Sequence, residues 1–509
     1  MNKRFAINMF ASVFTFVVNL LINFILSPFI VSRLGVEANG FISLSTNFVN
    51  YASVLTAALN SLFGRYLTIE LHKKNIKRAN EYFTSVFYAN ILISIVLFFV
   101  MLICTVNLHN ILSIPAQLYI DVKITFMFTF MNYILGQLFT VFSICTFARN
   151  RLDLSSLCNI FQYVVKIILL VLLYTLLPAN MYYVPMVGMI VTIMARFIYT
   201  RLTKKLLPEI KISRKHFKIG LVITILKNGV WMSLQNLNKI LETGLDLLIT
   251  NNFVSGVSMG YLSIAKIIPN VIYQLSATIA NVFSPTYAEL YAKEEREKLI
   301  SHINFSVKVM AIIMATPLAG LIVFGEAFFC LWQKSLTRDE IHIIQILSVL
   351  TLLPTLFNCY MEGMYYINVV TNRIKTSVIV TFLFGIVAVA IELILLFTTD
   401  LGVYAVAGTS AVVMSIRYIF FTPMYCAHIL KMKLSYFYSP ILKALCVCFV
   451  EGLLFFVISM LINTYSLKGF IMAVLLAGII GYGFSLLFIL NKGERQKLNE
   501  IFKRKILKK

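Results

Sequence analysis

Runs of about twenty or more predominantly apolar residues recur along the whole chain, separated by short polar stretches. At the rise of a helix, about 20 apolar residues cross the hydrocarbon core of a bilayer. The pattern predicts fourteen spans, in residues 5–31, 41–66, 83–106, 120–147, 156–177, 180–200, 219–250, 257–284, 302–325, 341–367, 376–398, 402–428, 438–463 and 469–490. A membrane barrel would show short alternating segments instead. The expected fold is an all-α polytopic membrane protein whose functions reside in its helices and short loops.

Two spans break the apolar pattern in a regular way. In "SIAKIIPNVIYQLSATIANVFSP" Lys266, Asn270 and Gln274 are spaced by four, and Ala277 and Asn281 continue the row. Span seven repeats this with Asn228, Gln235, Lys239, Glu242 and Asp246. Such spacing gathers polar groups on one helical face. Spans one and two carry a weaker version: Asn8, Asn19 and Asn23, then Asn47, Asn50, Asn60 and Ser61, with Arg65 at the cytoplasmic end. A lysine at the bilayer centre costs about 2.5 to 3.5 kcal/mol on insertion scales and normally faces a bundle interior or a wet cavity. Two uses of the stripes stay open: they line a polar cavity between two halves of the chain, or they join helices by hydrogen bonds. On the cavity reading the substrate-binding candidates are Lys239, Lys266, Asn270, Gln274, Asn281, Gln235, Asn47, Asn50, Arg65 and Arg417. The acids Glu242, Asp246, Glu362 and Glu392 are candidates for a coupling proton or cation, with a salt bridge to a span lysine as the alternative.

An internal repeat is expected. At an offset of 220, "GFISLSTNFVNYASVLTAALNSLF" falls on "GYLSIAKIIPNVIYQLSATIANVF", matching Gly40 with Gly260, Ser43 with Ser263 and Asn50 with Asn270. At 222, "NRLDLSS" from Asn150 falls on "NRIKTSV" from Asn372. The expected organisation is a six-helix half over 1–200, a basic linker over 201–218, a second six-helix half over 219–430, two further helices over 431–490 and a basic tail over 491–509. Six spans per half is even, so the halves would be parallel repeats about an axis along the membrane normal.

Composition agrees: the 509 residues are 60% hydrophobic and 13% charged. The net charge of +23 becomes a topology signal once the spans are drawn. Most Lys and Arg fall on the side of the N-terminus, in "ELHKKNIKRANE", "RLTKKLLPEIKISRKHFK" and the tail, and the positive-inside rule then places both termini in the cytoplasm. Contact with anionic headgroups accounts for these patches, and no nucleic-acid partner is expected. The first span has a basic head but no small-residue cleavage site, so it is expected to stay. The eight cysteines are scattered and form no metal or disulfide framework. There is no GxxxxGK[ST] loop, no HExxH and no nucleophile elbow. No cofactor, ATP hydrolysis or other enzymatic activity is expected. A membrane glycosyltransferase or polymerase is a rival reading, as is a structural assembly factor, although the outer loops around "NLHNILSIPAQLYI" and "FCLWQKSLTRDE" are short for catalysis.

The stretch "SRLGVEANGFISLSTNFVNYASVLTAALNSLFGRYLTIELHKKN", the segment "VFSPTYAELYAKEE" and the two "NR" turns resemble the polysaccharide transporter branch of the superfamily that also contains multidrug extrusion transporters and lipid II flippases. The resemblance implies flipping or export of undecaprenyl-pyrophosphate-linked sugar repeat units for O-antigen, capsule or exopolysaccharide, across a bacterial cytoplasmic membrane and by alternating access. It implies a lipid-linked oligosaccharide and membrane lipids as partners, with a polysaccharide polymerase and a chain-length regulator alongside. On this reading Lys239 and Lys266 attract the pyrophosphate, while Asn270, Gln274, Gln235, Asn50 and Asn47 bond sugar hydroxyls. A multidrug extruder of the same fold is the nearest alternative; its cavity for organic cations should be acidic.

Overall fold

A computed structural model describes residues 3–491 and 493–495; most of the basic tail lies outside the described residues. These residues are mostly helical, with no strand among them. By contacts the chain divides into two compact units, 1–263 and 264–509. The division falls inside the eighth expected span rather than at the basic linker 201–218, because the first helix after that linker packs on the first unit.

The first unit contains α1 (Lys3–Leu34), α2 (Val36–His72), α3 (Ile76–Val106), the short α4 (Leu108–Ile111), α5 (Tyr119–Leu138), α6 (Thr140–Ala148), α7 (Leu152–Leu176), α8 (Tyr183–Leu206), α9 (Ile219–Lys239), α10 (Asp246–Phe253) and α11 (Gly256–Ala265), the last running just past the division. A π-helical segment, Ile240–Gly244, joins α9 to α10. The second unit contains α12 (Ile267–Asn281), α13 (Ser284–Ala292), α14 (Arg296–Trp332), α15 (Arg338–Val370), α16 (Ile374–Thr398), α17 (Val403–Ile416), α18 (Thr422–Ile429), α19 (Tyr438–Leu461) and α20 (Leu467–Ile489). A second π segment, Arg417–Phe421, joins α17 to α18.

Twelve of the described helical stretches are long and apolar enough to cross a membrane. The two expected spans outside that set are α2 and the segment holding α9 and α10. Polar residues dilute both, and the π segment interrupts the second. They pack along one another, so each covers part of the other's polar surface. Gly229 permits the crossing: a Cβ there would lie 2.0 Å from the Ala58 carbonyl oxygen. Ser233 of α9 donates to the Val54 carbonyl at 2.6 Å and accepts from the Ala58 amide at 3.1 Å, where α2 backbone is exposed to a side chain.

Turn chemistry ends the helices. Lys74 and Glu294, 220 positions apart, adopt left-handed backbone, and so do Asn150 and Asn372, 222 apart; these are the two offsets of the sequence matches. The matched glycines Gly40 and Gly260 touch, a Cβ on Gly40 lying 3.0 Å from the Gly260 Cα. The basic linker is tied down rather than loose. Asn80 donates to the Glu209 carbonyl at 3.3 Å and accepts from the Lys211 amide at 2.6 Å, and Lys218 pairs with Glu81 at 2.9 Å. In the second unit α14 packs along α15, α19 and α20, around a core that includes Met310, Met314, Leu318, Tyr360 and Phe455. All eight cysteines are free; Cys446 is exposed and Cys448 buried, as two positions apart on a helix require.

Candidate functional site

The polar stripes sort into two structural classes. In the first unit, the lower end of the α2 stripe holds helices together. Asn60 donates to Gln137 Oε1 of α5 at 3.1 Å, Gln137 donates to Asn90 Oδ1 of α3 at 3.1 Å, and Asn90 donates back to Asn60 Oδ1 at 3.3 Å. This closed ring of three amides joins three helices, and Asn90 is fully buried within it. Asn8 likewise donates to Asn150 Oδ1 at 2.9 Å and accepts from the Asp153 amide at 3.1 Å, fastening α1 to the first "NR" turn. Asn228 donates to the Tyr66 hydroxyl at 2.9 Å. The side chain of Asn23 lies outside the described residues.

Higher on α2, Asn47 and Tyr51 both donate to the carbonyl oxygen of Gly244, at 3.2 and 2.5 Å. Gly244 closes the π segment, and its carbonyl sits where the α-helical ladder is interrupted. π turns recur at functional sites because they free such groups and displace the helical register. The displacement is visible in the span-seven stripe. One extra residue rotates the next part of the helix by about 100°, so Lys239 is exposed whereas Asp246 is buried. The expected single face through Lys239 and Asp246 is therefore broken at the π segment. Gln235 and Glu242 are half-buried, and Asn50 and Arg65 are exposed.

In the second unit, the stripe of α12 keeps its shape apart from its first member. Asn270, Gln274, Thr278 and Asn281 are exposed on one face, and Ile272, Ser276 and Ala280 are buried on the other. Lys266 stands instead at the junction between α11 and α12 and is buried. Pro269 explains the break, since it supplies no N–H to the carbonyl of Ala265. Arg417 is buried at the start of the second π segment, its guanidinium 4.6 Å from the ring of Tyr418. Glu362 of α15 accepts from Asn358 at 2.5 Å, and the buried Glu392 of α16 accepts from Ser410 of α17 at 2.6 Å. The second unit also has an apolar groove of about 320 Å³ among α12, α14, α19 and α20, lined by Phe324, Phe328, Phe455 and Phe470 among others.

Four residues escaped the stripe pattern. Asn90 and Gln137 complete the amide ring, yet each lies outside any repeated polar row. Arg196 in "IMARFIYT" is half-buried within α8, and Glu451 in "CFVEGLLF" is fully buried within α19. The signal of these last two was one charge in an otherwise apolar run, which a search for repeated spacing passes over.

A family model described as "Polysaccharide biosynthesis protein" matches residues 30–331. The chain is 26% identical over 450 residues, 87% of each protein, to "Uncharacterized membrane protein EpsK" of Bacillus subtilis (strain 168). Among solved structures it is similar in fold to lipid II flippase MurJ in an inward closed conformation, with TM-score 0.67 and 14% identity over 98% of this chain and 99% of that one. It is also similar to a multidrug resistance MATE family transporter of the MOP superfamily in an inward-facing conformation, with TM-score 0.65 and 15% identity over 81% of this chain and 95% of that one.

Proposed function

We propose, for a chain that belongs to the polysaccharide biosynthesis protein family, that it is a flippase or exporter of lipid-linked oligosaccharide. The cargo is an undecaprenyl-pyrophosphate-linked repeat unit, the membrane is the bacterial cytoplasmic membrane, and both termini are cytoplasmic. The observation that carries the reading is the exposed polar face of α12. Asn270, Gln274, Thr278 and Asn281 form a row of donors and acceptors in a chain otherwise built of apolar surface, and amides and hydroxyls are the groups that recognise sugar hydroxyls. In the first unit, exposed Lys239 and Arg65 offer cationic charge for a pyrophosphate. The apolar groove of the second unit suits an isoprenoid tail. Movement of such a lipid makes and breaks no covalent bond, so no catalytic group is required. Glu242, Asp246, Glu362 and Glu392 stand as candidates for the coupling ion.

The test is deletion of the gene followed by measurement of where lipid-linked repeat units reside. They should accumulate in the cytoplasmic leaflet, protected from a glycan probe added outside. Normal exposure of the units in the deletion strain would overturn the reading, and stalled sugar addition on them would favour a glycosyltransferase.

A further inference from the structure

Helix α19 carries one acid, Glu451, that belongs to neither polar stripe. It is fully buried, and its two oxygens have different partners. Ser485 of α20 donates to Oε1 at 2.6 Å, and Thr316 of α14 donates to Oε2 at 3.1 Å. Both partners are hydroxyls. A hydroxyl donates to a carboxylate and, after rotation, accepts from a carboxylic acid, so these two side chains satisfy the group in either protonation state. A lysine or arginine in the same place would fix the charge. Among the described residues, the titratable groups that face Glu451 are neutral in their ordinary state: Cys448 one turn earlier in α19, Tyr360 of α15 and Tyr482 of α20. At this level α14 presents Thr316, and the Cys448 thiol is turned to the Ala315 carbonyl. Burial of an ionised carboxylate among such neighbours is unfavourable.

Two further features concern access. Thr316 also lines the apolar groove, together with Pro317, Phe455 and Tyr482, so the residue whose hydroxyl donates to the acid is itself part of the groove wall. Pro317 removes an N–H from the helical ladder of α14 at the same level. Gly481 lets α20 close on the same residues: a Cβ there would come 2.7 Å from Thr316 Oγ1 and 2.9 Å from Phe455. The acid thus sits where α14, α19 and α20 meet, bonded to a threonine that also lines the groove.

From this geometry we propose that Glu451 is a proton-binding site, loaded and unloaded through the Thr316 hydroxyl as α14, α19 and α20 repack. Uptake converts a carboxylate and a hydronium ion into a carboxylic acid and water. As the ion-coupling group of a transporter the site rests on the function proposed above; as a titrating carboxyl it does not.

The experiment uses the full-length protein in liposomes. Infrared difference spectra are recorded across the pH range in which the protein stays folded, for wild type and Glu451→Gln. The expected result is a protonated-carboxyl band that disappears as pH rises and is missing from Glu451→Gln. Ser485→Ala and Thr316→Val should each move its midpoint by about one pH unit or more, the size expected from one hydrogen bond to a charged group. These two variants carry the test if Glu451→Gln fails to fold. A carboxyl that never titrates, unmoved midpoints, or a titration that follows Na⁺ concentration would overturn the proposal. In the same vesicles, flipping of a lipid-linked oligosaccharide should respond to a pH gradient in wild type and not in Glu451→Gln. Flipping in wild type that ignores the gradient overturns the coupling role. Titration without any flipping supports the site and overturns the transport reading.

Discussion

The amide ring of Asn60, Asn90 and Gln137 makes a quantitative prediction. Replacement of Asn90 by alanine deletes two of the ring's three bonds, at 3.3 and 3.1 Å, and strands Asn60 Oδ1 and a Gln137 N–H. Interhelical hydrogen bonds in membrane proteins contribute about 0.6 kcal/mol on average and about 1.7 at most. Two of them give about 1 to 3 kcal/mol, and a loss near 2 kcal/mol lowers the folding equilibrium about thirtyfold. Gln137→Ala also removes two bonds, one of them shared with Asn90. The double variant loses three bonds, where the single losses together count four, so it should be milder than their sum by one bond's worth, about 0.6 kcal/mol. Denaturant unfolding in detergent and lipid micelles measures all four proteins of the cycle. Single losses below about 0.3 kcal/mol, or strict additivity, would refute the view that this part of the stripe exists to join α2, α3 and α5.

The opposite behaviour is expected on α12. Asn270→Ala, Gln274→Ala and Asn281→Ala remove exposed side chains, so each should leave unfolding within about 0.5 kcal/mol of wild type while transport of lipid-linked units falls; unchanged transport in the triple variant would remove α12 from the site. Lys239→Ala should reduce transport about fivefold, the equivalent of about 1 kcal/mol for an exposed charge contact, with normal amounts of folded protein. Gly229→Ala should cost about 1 to 3 kcal/mol through overpacking, since its new methyl meets backbone of α2 rather than a movable side chain. Burial tends to raise the Glu494 carboxyl, but the hydrogen bond from Lys308, the Asn491 amide and the charges of Lys308 and Lys443 together hold it below the usual glutamate range. A depressed folded value means that its tie to Lys308, at 2.7 Å, is fully present above the ordinary value of about 4.3 and lost as pH falls through the folded value. Unfolding midpoints measured on acidification should show this small loss in wild type and not in Glu494→Gln.

Helix positions and their turns were legible because lipid imposes a strict rule: a span must satisfy its own backbone and present apolar side chains. Left-handed turns at Asn150 and Asn372 were signalled by the same "NR" pair. What the pattern could not show was register. Spacing by three and four assumes an unbroken α-helix, and the π segment at Ile240–Gly244 turns Asp246 away from the face that Lys239 occupies. Pro269 was a readable warning that Lys266 stands at a helix junction. Nothing local distinguishes Asn60, which is bonded into a ring, from Asn50, which is exposed; the difference lies in Asn90 and Gln137, 30 and 77 positions away. Glu451 was passed over because its partners, Thr316 and Ser485, lie 135 and 34 positions away.

The most direct test of the central claim places the purified protein in vesicles that carry undecaprenyl-pyrophosphate-linked repeat units in both leaflets, with a glycan-modifying probe outside. Protein-free vesicles should expose only the outer-leaflet units. With the protein, inner-leaflet units should become accessible as well, at a rate lowered by Lys239→Ala and by the α12 triple variant. An accessible fraction that stays at the protein-free level would contradict the account.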